Sequence, residues 1–318
     1  MRRLVLLLVL ACALLTGVRD AGALTLGVSD DSGKYSRDGG ESFFASLRAV
    51  GGTENAIVVW WDAKHPTTNP EQALLDAAVA HAQLAGVRVV IDVYLRHAKD
   101  YATNPRAPAQ YAAFLQQLAR RYPGVRDFIV GNEPNQPRFW QPQFGPGGKQ
   151  LSPAAYVSSL AAGYDALKAV NPAIRVLGFA LSERGNDNPT ARSNVSISPL
   201  RFIAAAGTAY RASGRAKPLM DAFAFHPYPR NALDPLARGL AWPNAGAHNL
   251  DRIKQAVWDA FNGTAQPTFE QGLQLAITEV GWQVGIPSSS IAAYTGQENV
   301  TTTDEKTQAA IYGDLVRE

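Results

Sequence analysis

The sequence contains a single cysteine, Cys12, among its 318 residues. One thiol excludes a disulfide-stabilised scaffold and a cysteine-rich zinc site. The chain has no dense basic block and a formal net charge of only +3, so we do not expect nucleic acid as a partner. The His-Glu-x-x-His pattern of zinc proteases and the Gly-x-Ser-x-Gly turn of serine hydrolases are also missing. We therefore expect the protein to use neither a metal nor an organic cofactor.

The one segment apolar enough to enter a membrane lies at the N-terminus. Two arginines precede the run Leu4–Leu15, and a small-x-small triplet ends at Ala23. This order is typical of a secretory signal peptide, and the run is shorter than the roughly 20 residues of a membrane span. We predict that residues 1–23 are cleaved and that the protein is secreted or lies in the cell envelope, without stable membrane association. A retained anchor is the alternative, and a lipoprotein at Cys12 is a weaker one because the apolar run continues past it.

The rest of the chain alternates between β-rich and helical segments. Apolar residues recur at helical spacing between the β-rich runs, for example at positions 111, 114, 115 and 118. The candidate strands are nearly continuous in Val, Ile and Phe, which is typical of a parallel sheet covered on both faces. Seven such strands are predicted: Leu24–Ser29, Ala56–Trp61, Arg88–Leu95, Asp127–Gly131, Arg175–Ala180, Asp221–Phe225 and Leu273–Thr278. Alternation of this kind predicts an α/β fold.

Loop lengths favour a barrel over an open sheet. Links from helix to strand are short, as in Tyr122–Arg126, whereas links from strand to helix are long, as in Glu133–Leu151 and His226–Asn249. Long loops after the strands build the active site of a (β/α)8 TIM barrel. We predict that residues 24–318 form one such domain. Because the chain supplies seven βα units, we expect a barrel truncated after the seventh unit and lacking its eighth strand.

Two glutamates stand where predicted strands end. Glu133 follows the fourth strand within Gly131-Asn132-Glu133-Pro134-Asn135, and Glu279 follows the seventh within Thr278-Glu279-Val280-Gly281-Trp282. In a closed barrel the ends of strands four and seven face each other across one mouth. A pair of carboxylates in that position is what glycoside hydrolysis requires, although a single strand-end glutamate is more often a solvated or salt-bridged residue.

These motifs resemble those of the clan A glycoside hydrolases. The first resembles their Asn-Glu-Pro signature, the second their segment carrying the nucleophile, and His226-Pro227-Tyr228-Pro229 their sixth-strand segment. The resemblance spans strands one to seven. It implies a retaining (β/α)8-barrel enzyme, cellulase-like or β-xylosidase-like, that acts on a β-linked oligosaccharide or polysaccharide.

The resemblance also implies roles for individual residues. Glu133 would be the acid/base and Glu279 the nucleophile. Asn132 would hydrogen-bond the sugar 2-hydroxyl, Tyr228 would donate to the nucleophile carboxylate, and His226 would line the same pocket.

Five further residues are candidate substrate contacts. Trp61 would stack on a sugar ring if it lies in the barrel mouth, but core packing is an equal alternative, since of two adjacent tryptophans only one faces the mouth. Trp282 follows the nucleophile, and Trp140 would serve a more distant subsite. Arg96 and His97 end the third strand and would donate to sugar hydroxyls. The alternative for Arg96 is a salt bridge with a nearby aspartate.

The sequence thus predicts a secreted retaining glycoside hydrolase. The rival function is a non-catalytic carbohydrate-binding barrel protein of the cell envelope, in which the aromatic residues would be needed and the acids would not. The sugar, its linkage and the choice between end trimming and internal cleavage depend on the loops after strands four to seven.

Overall fold

The computed structural model describes residues 24–293 and 301–317. The predicted signal peptide, residues 1–23, lies outside them. The described part contains one parallel sheet whose strand order equals the chain order. Its strands are β1 (Gly27–Ser29), β2 (Glu54–Trp61), β3 (Arg88–Leu95), β4 (Asp127–Val130), β5 (Arg175–Ser182), β6 (Ala222–His226) and β7 (Gln274–Ile277).

Helices connect successive strands. Within the described ranges they are α1 (Ser32–Tyr35), α2 (Glu41–Ala49), α3 (Gln72–Leu84), α4 (Ala98–Thr103), α5 (Ala107–Arg121), α6 (Ser152–Val170), α7 (Pro199–Ala212), α8 (Leu250–Phe261) and α9 (Glu305–Arg317). Short 3-10 turns lie at Pro146–Gly148, Ala247–Asn249, Phe269–Gln271 and Ile291–Ala293. Seven sequential parallel strands with crossover helices form the curled sheet of a TIM barrel, so the predicted fold class is confirmed.

Alternation along the strands separates two apolar regions. On β2, Ile57, Val59 and Trp61 belong to the large core beneath the helices, whereas Ala56 belongs to a small cluster inside the curl. The interior cluster consists mainly of small and medium side chains: Ala56, Val90, Ile129, Leu177, Ala180, Ala222 and Ala224. Small side chains leave room for a tightly curved sheet. The space above them, at the carboxyl ends of the strands, is left for polar side chains.

Close helix packing on the outer layer depends on a glycine. A Cβ atom at Gly207 of α7 would come within 2.6 Å of the Ala260 side chain of α8. That distance is too short for two carbon atoms, so only glycine permits this approach. In the chain, α7 connects β5 to β6 and α8 follows β6, and the carboxyl ends of β5 and β6 carry part of the site.

The two edge strands differ from the rest. All three residues of β1 are exposed, and Ile277 of β7 is 39 % exposed. Among the described residues, β1 pairs only with β2 and β7 only with β6. The prediction that the first strand begins at Leu24 was wrong, because Leu24 has no strand partner and is 68 % exposed. In the same described ranges, no helix is both long and apolar enough to cross a membrane.

Candidate active site

Three side chains meet at the carboxyl ends of β4, β6 and β7. The Nδ1 atom of His226 lies 3.3 Å from Oε1 of Glu133 and 3.7 Å from Oε2 of Glu279. The other ring nitrogen, Nε2, lies 2.9 Å from Oγ1 of Thr278. The sequence placed the two glutamates at strand ends 146 residues apart (279 minus 133), and the fold brings both carboxylates to one imidazole.

Backbone geometry positions Glu133. Gly131 and Glu133 both have positive φ, at 77° and 34°. The amide of Glu133 donates to the carbonyl of Ala180 on β5 at 3.0 Å. A positive φ is uncommon for a residue with a side chain and persists where the surroundings hold it. The turn therefore aims the Glu133 carboxylate toward His226 rather than along the strand.

A buried asparagine fixes the rest of this turn to β5. The side-chain amide of Asn135 donates to the carbonyls of Ser182 and Ile197 at 3.1 and 3.0 Å. Its Oδ1 accepts from the amide of Ser182 at 3.0 Å. The last residue of the Asn-Glu-Pro-Asn segment thus has a structural use that the sequence alone did not indicate.

Two tyrosines hold the carboxylate of Glu279. The Tyr94 hydroxyl donates to Oε1 at 2.5 Å, and the Tyr228 hydroxyl donates to Oε2 at 3.2 Å. Burial, reinforced by the carboxylates of Asp92 and Glu279, raises the pKa of Tyr94. Burial and Glu279 likewise raise the pKa of Tyr228, so both phenols remain protonated donors at neutral pH.

Sequence reasoning missed Tyr94. The residue lies on β3 two positions before Arg96 and has the same side-chain direction as Val90 in the interior cluster. The available signal was the period-two alternation of side chains along β3, which puts Tyr94 on the same interior face as Val90. Asp92 shares that face and is almost fully buried, and burial with the nearby Glu279 raises its pKa, which favours a neutral carboxyl beneath the site.

His226 is fully buried between the two glutamates. Burial alone would lower its pKa, but the carboxylates of Glu279 and Glu133 outweigh it, and the net shift is upward. An imidazolium at this position offsets part of the negative charge of the pair.

A third carboxylate, Glu183, lies in the same cleft and was also missed. It directly follows β5. Its Oε2 accepts a hydrogen bond from the Ser182 hydroxyl at 2.9 Å, and its Oε1 forms a salt bridge with Nε of Arg184 at 2.9 Å. Burial raises the pKa of Glu183 to about 7 against the lowering effect of Arg184. The strand-end rule that identified Glu133 and Glu279 applies equally here, but the predicted fifth strand ended at Ala180.

An open cleft of about 550 Å³ lies over these groups. Glu133, Glu183, Tyr228, Trp282 and Tyr312 are among the residues that line it. Glu279 is not among the lining residues. Its side chain is 17 % exposed, and Tyr228, whose hydroxyl donates to it, does line the cleft.

Of the sequence-predicted residues, Trp282 lines this cleft, and Asn132 lies next to the lining residue Glu133 in the chain. Asn132 is buried beside Glu133, and its Oδ1 has no hydrogen-bond partner within the described ranges. Trp282 lines the cleft, is held by a bond from its Nε1 to the carbonyl of Asp234, and packs edge-on against Tyr312 of α9.

Two of the predicted tryptophans lie elsewhere. Trp61 is buried on the helix side of β2 against Tyr101 and Tyr111, because alternation turns the neighbouring Trp60 inward toward Tyr94. Trp140 is also buried in the core and packs at a tilt against Tyr101. Neither lines the cleft, so their expected contact with substrate finds no support in the geometry.

Arg96 and His97 are exposed at the end of β3 and do not line the cleft either. The aspartate salt bridge that we expected as the alternative for Arg96 is not formed by Asp100, which pairs with Lys64 at 3.0 Å. In the part of the chain that the structure describes, no group of three or more His, Cys, Asp or Glu side chains is arranged to hold a metal ion.

The comparisons with known proteins bear on the fold. No protein-family model matches the chain, and a search of curated proteins finds no match. Among solved structures, a family 39 glycoside hydrolase from Bacteroides cellulosilyticus superposes with a TM-score of 0.54 at 18 % identity, covering 86 % of this chain and 49 % of that one. A monomeric β-xylosidase from Caulobacter crescentus gives 0.50 at 17 %, covering 82 % and 52 %.

A structure from a study of two fungal β-1,4-galactanases gives a TM-score of 0.53 at 15 % identity, covering 92 % of this chain and 83 % of that one. The chain spans about half the length of the first two structures. At these identities the likeness shows the fold alone. The resemblance to clan A barrels is confirmed at that level: the chain has the barrel fold of these glycoside hydrolases.

Proposed function

We propose that this chain is the catalytic barrel of a retaining glycoside hydrolase that cleaves a β-linked glycan. The observation that carries the proposal is the meeting of Glu133 and Glu279 at one buried imidazole, with distances of 3.3 and 3.7 Å to the same nitrogen. Shared contact with one atom limits the two carboxylate oxygens to a separation of no more than about 7 Å. This limit is compatible with the carboxyl separation of about 5–5.5 Å that is typical of retaining enzymes. Inverting enzymes have a wider separation of roughly 6.5–9.5 Å.

In the first step, Glu133 in its protonated form gives its proton to the glycosidic oxygen. A Glu279 oxygen attacks the anomeric carbon, the bond to the leaving oxygen breaks, and a covalent glycosyl ester forms. In the second step, Glu133 takes a proton from water as that water attacks the same carbon. The ester bond breaks, Glu279 leaves as carboxylate, and the sugar is released with its original configuration.

The surrounding groups fit these roles. Tyr94 and Tyr228 each donate to a different oxygen of Glu279, which fixes the plane of the carboxylate. The Oδ1 of the buried Asn132 has no hydrogen-bond partner within the described ranges, and the resemblance implies that a sugar 2-hydroxyl would be its partner. Against the lowering effect of burial, the carboxylates of Glu279 and Glu133 raise the pKa of His226. A positive charge on its imidazole reduces the repulsion between the two carboxylates.

The test is replacement of the nucleophile. Glu279→Ala should lower kcat on an activated aryl β-glycoside by about 10³-fold or more, and azide should restore part of the rate by forming a glycosyl azide. Glu133→Ala should slow substrates with poor leaving groups far more than activated ones. NMR of the first-formed sugar should show the β-anomer. Glu41→Ala, on the exposed start of α2, serves as the matched control.

Full activity of Glu279→Ala would contradict the assignment. Inverted product would leave a glycosidase but overturn the nucleophile role. Binding of oligosaccharides by the wild-type protein without any cleavage would favour the non-catalytic carbohydrate-binding function instead.

We also propose secretion, from the sequence of residues 1–23. Expression in a secreting bacterial host should release a protein whose first residue is Leu24, which N-terminal sequencing measures. A product that retains Met1 and stays with the membrane fraction would indicate an anchor.

A further inference from the structure

The cleft at the carboxylates continues into a second cavity. That cavity has a volume of about 400 Å³ and is lined by Arg230, Asn231, Arg238, Gly239, Leu240 and Ala241. Arg230 and Asn231 line both cavities. The two spaces are therefore neighbouring parts of one groove, formed by the long segment after β6, and the groove extends beyond the space over Glu133.

One wall of the groove carries a guanidinium that is paired on one side. Glu183 is 3 % exposed, and its Oε1 forms a salt bridge with Nε of Arg184 at 2.9 Å. The side-chain amide of Gln136 donates to the Arg184 carbonyl at 2.5 Å, which fixes the backbone of Arg184. Among the described residues the guanidinium of Arg184 pairs with no other carboxylate, so its terminal nitrogens remain available in the cleft lining.

A second guanidinium stands at the junction of the two cavities. Arg230 is exposed, and within the described ranges no carboxylate lies within salt-bridge distance of it. Further along the groove, Arg238 is paired with the buried Asp234. Because burial raises the pKa of Glu183 to about 7, that carboxyl offsets the charge of Arg184 only in part near neutral pH.

We propose that Arg184 and Arg230 form a subsite for the carboxylate of an acidic sugar, so that the substrate is a glycan containing uronic acid. The inference rests on the proposed function, since it names the substrate class of the same cleft. Guanidinium groups present forked donors that match a carboxylate in two bonds. The amides of Asn194 and Asn231, which also line the groove, suit the sugar hydroxyls beside it.

A carboxylate ligand must also overcome the negative charge of the catalytic pair. Two guanidiniums along the loops after β5 and β6 supply that attraction, and both line the cleft, whereas Glu279 does not. A neutral glycan would gain little from an unpaired, exposed Arg230. The placement is thus better suited to an anionic sugar next to the cleavage point than to a neutral one.

The test separates binding from cleavage. Glu279→Gln is titrated with a set of uronate-containing polysaccharides, among them glucuronoxylan and polygalacturonate, and with the carboxyl-reduced form of each. At least one acidic polymer should bind about tenfold or more tightly than its reduced form, a difference that shrinks as salt is raised. Arg230→Gln in the same background should lose most of that difference and leave binding of the reduced polymer unchanged.

Arg120→Gln is the matched control. The substitution removes the same charge, and Arg120 is exposed on α5, away from the cleft. Its binding should equal that of Glu279→Gln alone. Equal affinity for acidic and reduced forms, no binding of any acidic polymer, or preference for a sulfated glycan over every uronate would overturn the inference. Hydrolysis of aryl β-glycosides by the wild-type protein is measured separately, so that a failure of the proposed function shows there and not in the binding difference.

Discussion

The central strands and the edge strands of this sheet belong to one parallel ladder but differ in burial. β4 and β6 are buried at every position, whereas β1 is exposed throughout and β7 is only half-buried between its exposed ends. Within the described residues each edge strand has a partner on one side only. Strand type is set by local sequence, but burial is set by neighbours, so two similar apolar runs contribute very differently to stability.

The same contrast separates the two candidate catalytic residues. Glu133 follows a central strand and is held through its own backbone, by positive φ and by the bond to Ala180. Glu279 follows an edge strand and is held through its side chain, by Tyr94 and Tyr228. The acid/base candidate therefore depends on the fold of the sheet, and the nucleophile candidate depends on hydrogen bonds from other strands.

The largest expected effect tests burial directly. Phe223 of β6 is fully buried and stacks on Phe179 with ring centroids 5.0 Å apart. Phe223→Ala should lower the free energy of unfolding by about 3–5 kcal/mol through lost burial and a cavity. Ile277→Ala on β7 should cost only about 1 kcal/mol, because Ile277 is 39 % exposed. Urea unfolding followed by circular dichroism measures both.

Equal losses in the two variants would mean that β7 is as firmly packed in solution as β6. Leu84→Ala, at the exposed end of α3, controls for a change of apolar surface and should leave the unfolding free energy nearly unchanged.

The strand-end positions show how much could be predicted from the sequence. The third strand, Arg88–Leu95, was predicted with its observed bounds, because nearly every residue after the first is apolar or aromatic. The fifth strand was predicted to end at Ala180, but it continues to Ser182 through a β-bulge, where Phe179 and Ala180 have positive φ. A bulge breaks the period-two pattern, so the sequence did not place Glu183 directly after a strand end.

Side-chain direction was the other gap. Sequence alternation shows that Trp60 and Trp61 face opposite sides of the sheet. Which of these sides is the barrel interior becomes known only from the pairing of β2 with β3 in the structure. The same uncertainty hid Tyr94, whose role depends on reaching from β3 to Glu279, 185 residues away in the chain. Motifs identified the acids, and only the three-dimensional register identified their donors.

A second prediction concerns the central carboxyl, Glu183. Its folded pKa of about 7 lies above that of an unfolded glutamate, about 4.3, so the folded state holds a proton that the unfolded state releases. Stability attributable to Glu183 is therefore greatest below about pH 4 and falls as pH rises through 7, by up to roughly 4 kcal/mol. Glu183→Gln, which keeps a neutral side chain at all pH values, should abolish this part of the slope.

Urea unfolding of both proteins from pH 4 to pH 8 gives the difference curve. If the difference in unfolding free energy between the two proteins does not change with pH, Glu183 is as well solvated as an edge residue. That outcome would weaken the contrast between central and edge strands. Glu305→Gln, exposed in the first turn of α9, is the control for removal of one carboxylate and should keep the wild-type slope.

The smallest expected effect tests how the edge-strand nucleophile is held. Tyr94→Phe removes the 2.5 Å bond to Glu279 but keeps the ring between Trp60 and Phe139. A hydrogen bond to a charged group contributes about 1.5–3 kcal/mol, so kcat on the aryl β-glycoside should fall about 10- to 100-fold with little change in KM. Tyr228→Phe should cost less, because its bond is longer at 3.2 Å.

Tyr210→Phe is the control, since its hydroxyl donates to the Lys217 carbonyl on the helix side, far from the cleft. Its kcat should match that of the wild-type protein. If Tyr94→Phe lowers the melting temperature but not kcat, the tyrosine supports the sheet and not the carboxylate. If kcat falls while the melting temperature holds, an edge strand can carry a catalytic group because central strands orient it, and burial of the strand itself is not required.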